Sequence, residues 1–240
     1  MKIKLVFKVK SKEIKADIKR TMVSYLKHSI ESYDKKMFKE IYKNNKMKKF
    51  TFSLYLPGCQ KQGDITSLSN DLIILELSSG DEVLMMNMYY ALSQMRNINY
   101  PMGNTFMMLD NMDVFNSKKI KAKKISIKMK SPLVIRDRKD NKDKYYTVSD
   151  EEFEEKFKEN IKNELEGLNL DCNPVISIQP LKAKMIVDKT FNIMVPASTG
   201  YFLLTADEDT LTALQNYGIG SRRGEGFGYF EVIKDAFKCE

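Results

Sequence analysis

Histidine, cysteine and long apolar runs are all scarce in this 240-residue chain, and each shortage closes off a class of chemistry. The only histidine is His28, so proton transfer by imidazole has a single candidate. The three cysteines, Cys59, Cys172 and Cys239, are odd in number, far apart and without a C-x-x-C. That argues against a disulfide framework and against a zinc site, and reduced thiols suit a cytoplasmic protein. The acidic residues fall in no metal-ligand pattern, so neither a metal nor a cofactor is expected. Residues 1–10 alternate lysine with apolar side chains, which is neither a signal peptide nor a membrane span, and no membrane partner is expected. No glycine is followed by lysine, which excludes the loop that cradles nucleoside triphosphates.

Lysine is what the chain has in excess. Formal net charge is +8 and is unevenly spread. Residues 1–49 hold 16 Lys/Arg against 5 Asp/Glu, a net of +11, and the remainder nets −3. A basic first fifth reads either as an electrostatic footprint for nucleic acid or as a solvated lysine-rich surface. The length allows one large domain or two small ones, and a hydrophobic fraction of 42% is ample for a core.

Ile3, Leu5, Phe7 and Val9 alternate with lysine and predict a half-buried strand. Ile14, Ile18, Met22 and Tyr25 or Leu26 follow helical spacing, and a second short helix is expected over 35–43. Further strands are expected over 50–56, 71–77 and 104–115. Ser79-x-x-Glu82 is a capping box ahead of an apolar helix whose methionines 85, 86 and 88 read as core filler. Lysines crowd 118–124 and mark a junction, after which the layout restarts. A strand over 125–129 and a strand pair over 134–147 precede a helix opened by a Ser149-x-x-Glu152 box. Long strands over 175–187 and 190–205 lead to a helix opened by a Thr205-x-x-Glu208 box, and a strand over 227–233 follows. The pattern predicts an α+β fold of two tandem ferredoxin-like, RRM-related domains. Residues 1–120 form the first, with the candidate catalytic helices, and 121–240 the second, with a glycine-rich loop.

In that loop Gly218, Gly220, Gly224, Gly226 and Gly228 fall within eleven residues, with Arg222 and Arg223 between them. Glycine permits left-handed backbone and close approach of another chain segment. Peptide N–H groups in such a loop can converge on an anion, and guanidinium groups suit phosphate. The arginines read as phosphate contacts or as ordinary loop charges. The dinucleotide fingerprint is excluded, because Arg223 stands where its third glycine would be and the order is helix then strand. The loop fits G-h-G-x5-G-h-G, where h is hydrophobic, at every specified position. In this it resembles the C-terminal signature of the CRISPR repeat-RNA endoribonucleases of the RAMP superfamily, which cut precursor crRNA. Lys49-Phe50-Thr51-Phe52-Ser53, Ser131-Pro132-Leu133-Val134-Ile135-Arg136 and Gly200-Tyr201-Phe202-Leu203-Leu204 are similar to other segments of that family, so the resemblance covers nearly the whole chain.

The resemblance implies RNA gripped in the cleft between two lobes and cut within CRISPR repeats without a metal. The RNA's own 2′-hydroxyl attacks, leaving a 2′,3′-cyclic phosphate and a 5′-hydroxyl. It implies CRISPR repeat RNA as partner and leaves a CRISPR effector complex and a homodimer open. The candidate catalytic residues are His28, Tyr42 and Lys46. The candidate RNA contacts are Gly218, Gly220, Arg222, Arg223, Gly226, Gly228, Lys48, Lys49, Arg136 and Arg138. His28, in the first helix, reads as an acid/base group or as a surface histidine, and Tyr42 as a participant or a buried core ring. The chain departs from the family at one place. Many members carry a catalytic histidine shortly before the second strand, and residues 40–49 contain none, with Tyr42 in its place. The alternative reading is therefore a non-catalytic CRISPR repeat-RNA-binding subunit.

Overall fold

The computed structural model describes residues 1–43, 47–140, 142–170 and 175–235. The alternation at the start of the chain becomes strand β1 (Lys2–Val9), with Ile3, Leu5 and Phe7 fully buried on one face. Helix α1 (Ile18–Tyr33), strands β2 (Thr51–Tyr55) and β3 (Leu72–Ser78), helix α2 (Glu82–Ser93) and the hairpin β4 (Asn99–Met102) to β5 (Thr105–Phe115) follow. The strands form one antiparallel sheet in the order β2-β3-β1-β5-β4. The stripe Met22, Tyr25, Leu26 and Ile30 of α1 and Met85, Met88 and Leu92 of α2 join the inward side chains of that sheet in one core. Met86 lies on the opposite face of α2 and is exposed, so the methionine cluster is only partly core filler.

Residues 116–123 lead to a second unit. It contains β6 (Lys124–Met129), the hairpin β7 (Ile135–Lys139) to β8 (Lys142–Tyr146), helix α3 (Phe153–Gly167), the long hairpin β9 (Ser177–Thr190) to β10 (Ile193–Thr205), helix α4 (Glu208–Tyr217) and β11 (Phe230–Asp235). Its main sheet runs β9-β10-β6-β11. With β4 and the β7–β8 hairpin set aside as additions, each sheet places the strands of a β-α-β-β-α-β unit in the order second, third, first, fourth. That is the ferredoxin-like arrangement, present twice.

The helix starts differ from the expected capping boxes. The cap of α2 is Asp81, whose carboxylate accepts from the Leu84 N–H at 2.9 Å, and that of α4 is Asp207, which accepts from Thr210 at 2.8 Å. A carboxylate both satisfies an orphan N–H and carries the charge that a helix N-terminus favours. Ser79 does another job: its Oγ accepts from the Asp81 N–H and donates to the Lys49 carbonyl. The Ser149 box is also displaced, because α3 begins at Phe153 and its cap position, Glu152, makes no side-chain capping bond.

The two units are clamped together along β2 and β3. Thr51 Oγ1 donates to the Phe227 carbonyl at 2.8 Å, and Ser78 Oγ to the Asn216 carbonyl at 2.8 Å. Lys19 of α1 pairs with Asp188 at 2.7 Å and lies 3.8 Å above the Phe227 ring. At the tip of the long hairpin the Phe191 N–H donates to Asp17 Oδ2, while Asp17 Oδ1 caps α1. All five glycines of the loop are buried. A Cβ on Gly218 would stand 2.7 Å from the Thr51 methyl, and one on Gly228 would overlap the Ile219 carbonyl oxygen. Gly228→Ala is therefore expected to cost about 3 kcal/mol, left-handed strain plus displacement of backbone. Gly63→Ala, equally left-handed but with nothing within 4 Å, should cost only the strain, about 1 kcal/mol. Urea unfolding of the two variants compares them directly, and equal midpoints would show that the loop is not closely packed.

Candidate active site in the interdomain cleft

Lys19, Val23 and Lys27 follow one another at four-residue spacing along α1, on the face turned to the second unit. The helical turn Lys35–Phe38 and the wider turn Lys39–Lys43 bring Tyr42 to the same side, its ring 5.3 Å from that of Phe38. The approach to β2 adds Lys48. The facing wall is built from loop residues 220–225, Asn160 and Glu164 of α3, and Arg136 of β7. Together they bound a cleft of about 620 Å³.

Tyr42 is the centre of the first wall. The Lys27 and Lys48 ammonium groups lie 5.1 and 5.4 Å from its ring centroid, and Lys48 also donates to the Ile41 carbonyl. The Tyr42 hydroxyl is buried without a hydrogen-bond partner, and burial pushes its pKa up. A phenol shifted that way stays protonated at neutral pH. Lys48 moves in the opposite sense: burial lowers its pKa first, and the charge of Lys27 lowers it further. Of the two, Lys48 is the group better placed to accept a proton.

The second wall is held by ion pairs. Arg222, in left-handed backbone at φ 60°, donates to Glu225 at 2.8 Å and to the Tyr145 hydroxyl at 2.9 Å, with Asp143 at 3.6 Å. Arg223 is only 4% exposed; its Nη1 donates to the Tyr217 carbonyl at 3.2 Å and lies 3.7 Å from Glu164 Oε2. The Glu164 carboxyl is pushed up to about 7 by burial, against the opposing pull of the Arg223 guanidinium.

These positions bear on several expectations. The peptide N–H groups of Gly218, Ile219, Ser221, Gly226 and Gly228 donate to the carbonyls of Leu214, Gly228, Val134, Arg223 and Pro132. They hold the loop's own shape instead of converging on an anion. Arg223 is part of the interior, so it is not an open phosphate contact. Of the glycines, Gly220 borders this cleft, Gly226 borders a second one beside Lys19, and Gly218 and Gly228 pack on protein. His28 is exposed on α1 about 100° around the helix from Lys27. Its ring lies 5.7 Å from that of Tyr100, whose hydroxyl hydrogen-bonds with Ser24, and it does not line the cleft.

Among the other candidates, Tyr42, Lys48, Arg136 and Arg222 are brought together. Lys49 is exposed and turned toward Asp81 at 3.7 Å, and Arg138 is exposed on the β7–β8 hairpin, 3.8 Å from Asp143. Lys46 lies outside the described residues, as do Cys172 and Cys239, while Cys59 is exposed and free. Among the described residues, no helix is long and apolar enough to cross a membrane, and no three His, Cys, Asp or Glu side chains gather as metal ligands would. Sequence reasoning missed Lys27, Asn160 and Glu164. The signals were present: the four-residue spacing from Lys19, and an acidic residue set in the apolar stripe Phe157, Ile161, Leu165.

Residues 115–232 match the family model described as CRISPR associated protein Cas6, C-terminal. The match spans the second unit, just under half of the chain. The Cas6 fold extends over its whole length. A solved structure described as the characterization of a Cas6-related gene from Pyrococcus furiosus superposes with a TM-score of 0.84 at 16% identity, covering 98% of both chains. An RAMP protein described as binding different RNA substrates gives 0.83 at 18% identity, over 98% of this chain and 100% of that one. A CRISPR associated protein Cas6 gives 0.78 at 19% identity, over 98% and 99%. At these identities the likeness establishes the Cas6 fold. No curated protein sequence matches the chain.

The buried Glu164 makes folding depend on pH with a definite sign. Between about pH 4.5 and 7 the folded chain holds a proton there that the unfolded chain releases, so stability falls as pH rises through that window. The unfolding midpoint in urea should therefore drop from pH 5 to pH 7.5 relative to that of Glu164→Gln, which cannot titrate. Parallel midpoints in the two proteins would show that the carboxyl ionises normally.

Proposed function

We propose that this chain is an endoribonuclease of the Cas6 family that cuts precursor crRNA within its repeats, with the reaction carried out in the cleft between the two units. The observation that carries the reading is Tyr42 flanked by two ammonium groups on the wall opposite the glycine loop. RNA brings its own nucleophile, so the protein need only take a proton from the 2′-hydroxyl, stabilise the crowded phosphorus and return a proton to the leaving 5′-oxygen. Lys48, its pKa lowered, is the proton acceptor. Lys27 lies against the same ring and stabilises the developing phosphorane charge. Tyr42, held protonated, donates to the leaving oxygen. Those three groups supply each step of a metal-independent cleavage, which leaves a 2′,3′-cyclic phosphate and a 5′-hydroxyl. Arg136 and the half-buried Arg222 border the cleft and attract the RNA backbone.

The relatives support the choice of substrate. One is described as binding different RNA substrates and another as a Cas6 product complex. A second reading, a non-catalytic repeat-RNA-binding subunit, is favoured by one observation: the only histidine stands outside the cleft.

Incubation with CRISPR repeat RNA in EDTA separates the two. The endoribonuclease reading expects cleavage with cyclic-phosphate ends, slowed roughly 10²-fold by Lys48→Ala with binding largely retained. His28→Ala should cut at close to the wild-type rate. Tight repeat binding with no turnover under any condition would select the second reading, and a large loss in His28→Ala would return the acid/base role to the histidine.

A further inference from the structure

On the second wall of the cleft, α3 and the glycine loop leave a set of polar atoms without partners. The Gly220 N–H faces the Glu164 carboxylate and favours its charged form, yet neither carboxylate oxygen is in a hydrogen bond of ordinary geometry, and neither is Arg223 Nη2. The two side chains are 7% and 3% exposed, and both border the cleft. Their closest approach, 3.7 Å between Oε2 and Nη1, is too long for a hydrogen bond. Buried polar groups in folded proteins are almost always paired, and a buried carboxylate beside a cleft with lone pairs left over on both oxygens points to a ligand that donates twice.

We propose that Glu164 and Arg223 form a guanine-reading subsite, which takes an unpaired guanine of the RNA bound in the cleft; this rests on the reading of the cleft as an RNA site. The match is one of hydrogen-bond pattern. The site offers two open acceptors beside one open donor. Guanine presents two donors, N1–H and the N2 amine, beside one acceptor, O6. Adenine presents one donor and one acceptor on the equivalent edge, and uracil and cytosine present more acceptors than donors. Glu164 accepts from both guanine donors while Arg223 Nη2 donates to O6. The cleft, about 620 Å³, has room for a nucleotide splayed from a single strand. Glu164 is then a specificity-determining residue, separate from the proton-transfer groups on the Tyr42 wall.

The test uses the full chain and fluorescence anisotropy with four 15-nucleotide RNAs: oligo(U), and oligo(U) with a single central guanine, inosine or adenine. Guanine is expected to tighten binding about tenfold over uracil or adenine. Inosine, which keeps N1–H and O6 but lacks the N2 amine, should lose most of that gain. Glu164→Gln, which leaves one acceptor in place of two, should abolish the guanine preference. Equal affinity for guanine and inosine in the wild-type chain overturns the proposal, whether or not the variant folds. A guanine preference that survives in Glu164→Gln overturns it too. A chain that prefers guanine but never cuts repeat RNA loses the endoribonuclease reading and keeps this one, and a cutting chain blind to guanine does the reverse. Failure to bind any of the four RNAs overturns both.

Discussion

The contact between β2 and the glycine loop is the constraint on which the rest of the molecule depends. One hydrogen bond, from Thr51 to the Phe227 carbonyl, marks where two backbones approach as closely as atoms allow. A side chain on Gly218 or Gly226 would push the units apart, since Thr51 and Phe52 already occupy that space. With the loop seated there, α1 faces α3 across the cleft. The hairpin tip at Phe191 adds a second clamp by sharing Asp17 with the start of α1. Lys19 stitches the same seam through Asp188 and the Phe227 ring.

The two basic residue types divide the work according to their chemistry. Arg222 and Arg223, planar and always charged, are tied to carboxylates and carbonyls and give the loop its shape. Lys27 and Lys48 stand around Tyr42, and one of them has its proton loosened by burial and by its neighbour. Lysine suits that position because its pKa moves readily when water is withdrawn, which a guanidinium does not allow.

Strand and helix periodicity made the duplicated ferredoxin-like order legible, because each sheet buries one face and each helix one stripe. The caps were misplaced because Ser79 and Thr205 satisfy the capping pattern in sequence, whereas Asp81 and Asp207, two residues on, present a charged acceptor at the helix start. The glycine loop was legible as a place of close approach, but not what approaches it. The pattern G-h-G-x5-G-h-G does not say whether its amides face a ligand or the protein's own carbonyls. His28 shows the same gap. Its identity announced proton chemistry, yet which side of α1 faces the second unit is decided by tertiary packing across residues far apart in the chain. Lys27, its immediate neighbour, is on the cleft side for that reason alone. Glu164 drew no reading from the sequence, although its place in the apolar stripe of α3 foretold burial.

Thr51 and Phe227 are 176 positions apart. A ribosome adding 5–20 residues each second takes on the order of 10 s to cover that distance. In the later part of that interval the first unit is complete while the loop that covers Thr51 and Phe52 is still unmade. Unfinished chains thus carry one wall of the cleft and lack the other. Assembly of the working surface is a late event in biosynthesis, set by the order in which the polypeptide is made.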